Sequence, residues 1–168
     1  IYQCDWSSDV CSSDLTAGGA SLLYWLVVAT MGASMGVWLL IYTGASAVMT
    51  LAVTAVAFGG LSLFGYTTKK NLSGWGSFLI MALIGLIVAS IVNIFLNNGV
   101  MDLIISVAGV LIFSGLIAYD TQKIKEQYAD AWGSDVAEKV AIFGALSLYL
   151  DFVNLFQFLM SFLGQDRE

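Results

Sequence analysis

Five apolar runs, each about twenty residues or longer, dominate the chain and leave few folds open to it. They cover about residues 18–42, 47–66, 75–96, 100–119 and 136–163, and short polar breaks separate them. A bilayer crossing by an α-helix takes about 20 apolar residues, and every run meets that length. They are too long for strands, and the alternation of a membrane β-barrel is missing. The breaks at Thr43-Gly44-Ala45-Ser46, at TTKKNLSG, at Asn97-Asn98-Gly99, at EQYADAWGSD and at Gly164 carry the residues that stop and start helices. Ser73 and Ser134 are the predicted N-caps of the third and fifth helices. The expected fold is all-α, a polytopic transmembrane helical bundle.

Composition agrees. Of 168 residues 59% are hydrophobic and 11% charged, whereas a soluble domain has about a quarter of its residues charged. With no histidine, neither a histidine metal site nor a histidine general base is available. No serine–base or metalloprotease pattern is present either, so the chain does not read as an enzyme. Nothing resembles a basic nucleic-acid surface, and no nucleic-acid partner or cofactor is expected.

Residues 1–15, IYQCDWSSDVCSSDL, differ from the rest: they hold both cysteines and three aspartates. The run from Asp5 to Leu15 looks like the translation of a common sequencing-library adapter, in one frame. It is therefore set apart as a non-native segment, with residues 16–168 as the transmembrane domain. On this reading the natural N-terminus is missing, and the 12 acidic residues of the chain fall by those three to nine, against six basic ones.

Lysines orient the bundle. Lys69 and Lys70 lie between the second and third runs, and Lys123, Lys125 and Lys139 flank the connection between the fourth and fifth. Two crossings separate these connections, so they share a side, and the positive-inside rule makes that side cytoplasmic. The connections around Gly44 and Asn98 carry no lysine or arginine. Small residues spaced i, i+4, at Gly32/Gly36, Ala55/Gly59, Gly85/Ala89 and Ala141/Ala145, are read as helix-packing faces.

Two carboxylates inside the apolar runs carry the functional signal: Asp120 near the end of the fourth and Asp151 near the middle of the fifth. An aspartate at the bilayer centre costs about 2.5–3.5 kcal/mol on the lenient insertion scale, so it needs a partner or water. Ser147, Asp151 and Asn154 share one helical face, with Gln157 nearby, and are the candidate supporting polar residues. Asp102 reads as a boundary residue, and Asn93, Ser106 and Ser114 as interhelical hydrogen-bonding groups. If Asp120 and Asp151 meet, both cannot ionise cheaply, and they would share one proton. Such a pair is a pH-responsive latch or a hard-cation contact, since oxygen ligands suit Ca²⁺. The plainer alternative leaves Asp120 at the headgroup boundary and Asp151 bonded to a neighbouring helix.

Three segments carry a family resemblance: FGYTTKKNLSGWGSFLIMALIGL (64–86), GLIAYDTQKIK (115–125) and GALSLYLDFVNLFQFLM (144–160). They resemble the Bax inhibitor-1 family in its bacterial branch, over essentially the whole chain from Thr16. The resemblance implies a seven-helix fold of which these five correspond to the third to seventh. It also implies a multi-pass protein of the bacterial inner membrane, and a pH-sensitive calcium leak in which Asp120 and Asp151 form the latch and touch the ion. Protons, calcium ions and the bilayer are then its partners, with membrane proteins as further ones. The competing expectation is a non-conducting regulator of stress or cell death that binds other membrane proteins.

Overall fold

The computed structural model describes residues 17–131 and 133–164. The segment set apart as non-native, residues 1–15, lies outside them. Five long helices follow one another: α1 (Ala17–Ile41), α2 (Gly44–Thr67), α3 (Ser73–Leu96), α4 (Gly99–Ala129) and α5 (Ser134–Leu163). All five are long and apolar enough to cross a membrane.

The helices run further than the apolar pattern does. The first break shrinks to Tyr42 and Thr43, because the Thr43 side chain accepts a bond from Ser46 N at 3.4 Å and starts α2 at Gly44. At its far end α4 continues ten residues past Tyr119, to Ala129. Lysine, glutamate and glutamine are good helix formers, so loss of hydrophobicity there marks the membrane boundary and not the helix end. Ser73 and Ser134 are the first helical residues, not caps: Leu72 and Gly133 precede them and make no side-chain capping bond. Asn71 takes the capping role at α3, its Oδ1 accepting from Ser73 N at 2.9 Å. Asn98 caps α4 through Val100 N at 3.0 Å.

Packing centres on α4 and α5. Helix α4 packs on α2, α3 and α5, and α5 packs on α1, α2 and α4. Ile117, Leu155 and Met160 are fully buried at this centre, while Val56, Ile94 and Phe95 are 76–85% exposed on the outside. Large apolar side chains on the outer surface suit lipid and would be untenable in water.

Most of the small-residue faces fall elsewhere than the spacing suggests, although Ala89 of the Gly85/Ala89 pair packs against the core. A Cβ added at Gly32, Gly36, Gly59 or Gly85 would meet nothing within 4 Å, and Ala141 and Ala145 are exposed. Glycines that permit close approach include Gly65, against the Ala118 backbone, Gly76, against the Tyr119 ring, Gly109, against the Phe158 ring, and Gly115, against Leu79. Spacing i, i+4 identifies a face but not whether it points to a helix or to lipid.

Candidate functional site

Antiparallel register between α4 and α5 decides which residues of the two helices meet. Ser106 Oγ donates to Ser161 Oγ at 3.2 Å at one end. Phe113 stacks on Phe158 with centroids 5.7 Å apart, and Gly144 lies against Ile124 at the other end. That register sets Asp120 opposite Asp151, and their carboxyl groups are within hydrogen-bonding reach of each other. Asp120 sits nine residues before the end of α4, about 14 Å along the axis. The continuation of α4 to Ala129 is what lets the two depths agree.

Asp151 is 7% exposed, and its Oδ2 is buried with no other hydrogen-bond partner among the described residues. Asp120 is half-buried. Two ionised carboxylates have no donor between them, so their contact is sound only when one proton is held there. Lys123, one turn along α4, is close enough to act electrostatically on Asp120. This lysine lies beyond the apolar run, at i+3 from Asp120.

The supporting stripe divides. Asn154 donates through Nδ2 to the Leu150 carbonyl of its own helix at 2.7 Å. Ser147 and Gln157 are half-buried on α5. Asn93 donates to Asp102 Oδ1 at 2.5 Å, tying α3 to α4 at the opposite end of the bundle, so Asp102 is more than a boundary residue. Ser114 is half-buried and lines a groove between α2, α3 and α4.

The sequence reading missed the clasp beside Asp120. Gln122, 8% exposed, donates through Nε2 to the Lys70 carbonyl at 2.8 Å and accepts from Leu72 N at 2.9 Å. Ser62 and Thr121 hydroxyls are 3.0 Å apart, and Lys125 Nζ donates to the Tyr66 carbonyl at 2.9 Å while lying 4.5 Å from the Tyr66 ring centroid. Both lysine-bearing connections therefore sit at one end of the bundle. Among the described residues no three His, Cys, Asp or Glu side chains gather closely enough to hold a metal ion. Two carboxyl groups supply at most four oxygens, fewer than the six to eight that Ca²⁺ takes.

A family profile, inhibitor of apoptosis-promoting Bax1, matches residues 9–168. A protein of Caulobacter vibrioides is 61% identical over 150 residues, covering 89% of this chain and 60% of that protein. The inner membrane protein YbhL of Escherichia coli is 44% identical over 155 residues, 91% of this chain and 66% of YbhL. A membrane protein of Streptococcus pyogenes is 39% identical over 148 residues, 88% of this chain and 64% of that protein. The chain thus spans about three fifths to two thirds of the length of these relatives. Five spanning helices and relatives named as inner membrane and membrane proteins place it in the bacterial inner membrane as a multi-pass protein, and the chain belongs to the Bax inhibitor-1 family.

Proposed function

We propose that the protein is a pH-sensitive calcium leak pathway of the inner membrane, with Asp120 and Asp151 as its latch. The supporting observation is the facing carboxyl pair, with Asp151 Oδ2 buried and otherwise unpartnered. A proton held between the two acids ties α4 to α5 and keeps the path closed. When that proton leaves, two like charges face each other at short range and the helices are driven apart. The same charges then attract a divalent cation to the opening. A helix-packing scaffold has no use for a buried acid pair, which is why conduction is preferred.

The competing reading is a non-conducting regulator that binds other membrane proteins. It draws support from α1, which packs chiefly on α5 and leaves Leu22, Trp25, Leu26 and Leu40 more than half exposed. Calcium flux into proteoliposomes as a function of pH separates the two. The protein should conduct with a marked pH dependence, and Asp120→Asn and Asp151→Asn should each remove most of it, because one titrating carboxyl is gone. Flux that both variants leave with the original pH curve, or no flux at any pH, would put the regulator ahead.

A further inference from the structure

We propose that the lysine-bearing end of the bundle holds an anionic phospholipid, one acyl chain of which lies in a groove on the outer face formed by α2, α3 and α4. The inference needs only the membrane placement of the chain and is independent of whether it conducts.

The groove has a volume of about 390 Å³, and Leu61, Phe64, Trp75, Leu79, Leu111 and Tyr119 contribute to its walls. No residue of α5 lines it, so it opens away from the carboxyl pair and toward the surrounding lipid. From Tyr119 to Leu111 it follows α4 for about 12 Å, which suits part of an extended hydrocarbon chain and nothing polar. Small residues make the floor: Ser114, Gly115 and Ala118 lie along it, and the Leu79 side chain closes over Gly115.

Charge is gathered at one mouth only. Lys123 Nζ stands 6.0 Å from the centroid of the Tyr119 ring that forms the wall there. The Gln122 side chain grips the Lys70 carbonyl and the Leu72 amide, so the connection bearing Lys69 and Lys70 is pinned beside the same mouth, and Leu72 itself lines the groove. Lys69 and Lys70 are exposed. The start of α3 lies at this mouth, where Leu72 and Trp75 line the groove; Asn71 Oδ1 takes the Ser73 amide, and the remaining first-turn amides add the partial positive charge of a helix N-terminus to the lysines. No lysine or arginine lies on the wall beyond Tyr119, along α4 toward Leu111. A ligand that is anionic at one end and hydrocarbon over the rest fits this polarity, and basic pockets between helices at such a boundary select anionic headgroups. A neutral lipid would fill the groove equally well but gain nothing from the lysines.

Trp75, in the groove wall and 63% exposed, supplies the readout. The protein is prepared with Trp75 as its sole tryptophan, the other four replaced by phenylalanine, and placed in phosphatidylcholine vesicles. A minor fraction of either phosphatidylglycerol or phosphatidylcholine carries brominated acyl chains, which quench tryptophan on contact. The brominated phosphatidylglycerol should quench Trp75 several-fold more strongly than the same fraction of brominated phosphatidylcholine. Raising the salt concentration should narrow that difference, since the headgroup attraction is screened. The combined Lys70→Gln and Lys123→Gln substitutions should abolish it while quenching by phosphatidylcholine stays unchanged, which also shows that the groove remains intact. Equal quenching by the two lipids in the unsubstituted lysine background would mean ordinary boundary lipid and overturn the site. Absence of quenching by either would mean that protein covers this face, a second copy or further chain, and would overturn it as well.

Discussion

Gln122 and Asn154 are both amide side chains on the central helices, and they do opposite kinds of work. Gln122 satisfies two backbone groups on a different segment, the Lys70 carbonyl and the Leu72 N–H, neither of which has a helical partner to fall back on. Asn154 bonds a carbonyl of its own helix, a group already engaged in the α5 ladder. Removing a partner from a buried group costs about 1–3 kcal/mol, whereas losing a redundant bond costs far less. Gln122→Leu should therefore lower stability in detergent by about 1–3 kcal/mol, and Asn154→Leu should leave it nearly unchanged. Thermal unfolding followed by circular dichroism, on both variants in parallel, is the measurement; equal losses would mean that the clasp is not what Gln122 contributes. Nothing in the sequence marked Gln122, because a glutamine at the polar end of an apolar run looks like any solvated boundary residue. Asp120 and Asp151 were legible for the contrary reason: a carboxylate inside an apolar run has no inexpensive explanation.

The same contrast recurs among the glycines that pack or face lipid. Gly65 of α2 lies directly against the Ala118 backbone of α4, two residues before Asp120, and a Cβ there would collide with the Ala118 carbonyl oxygen. Gly59, six residues earlier on α2, has open space around it. Gly65→Ala must push two backbones apart, so it should destabilise by about 1–3 kcal/mol. Gly59→Ala removes a flexible residue from a helix interior and should stabilise by about 0.5–1 kcal/mol. Unfolding in detergent resolves opposite signs readily, and a destabilising Gly59→Ala would show that face to be packed. The apolar runs disclosed all five helices because bilayer length and composition constrain them so strongly. They disclosed neither the packing faces nor the length of α4. Every face of a membrane helix is apolar, so hydrophobic periodicity carries little information about which side meets protein. The end of an apolar run, likewise, records where lipid stops and not where the helix does.

At the scale of the molecule, charge is distributed by ends. The connection after α2 and the α4–α5 connection are held together by Gln122 and by Lys125 on the Tyr66 carbonyl, so Lys69, Lys70, Lys123 and Lys125 share one end. The other end carries the short α1–α2 and α3–α4 connections, without a lysine or arginine, and is tied by Asn93 to Asp102. Loop lysines resist transfer across the inner membrane, so the lysine end should face the cytoplasm and Asn98 the periplasm. Single cysteines at the two ends test this once Cys4 and Cys11 are replaced by serine. Asn98 is exposed, and losing its cap on Val100 should cost about 1 kcal/mol, little enough for the helix to persist. Lys69 is exposed as well and makes the matching probe at the other end. In intact cells a membrane-impermeant maleimide should label Asn98→Cys and spare Lys69→Cys, and permeabilising the inner membrane should make Lys69→Cys reactive. Labelling of Lys69→Cys in intact cells, with Asn98→Cys protected until the membrane is opened, would reverse the orientation. The acidic pair would then sit toward the periplasm and answer to the pH on that side.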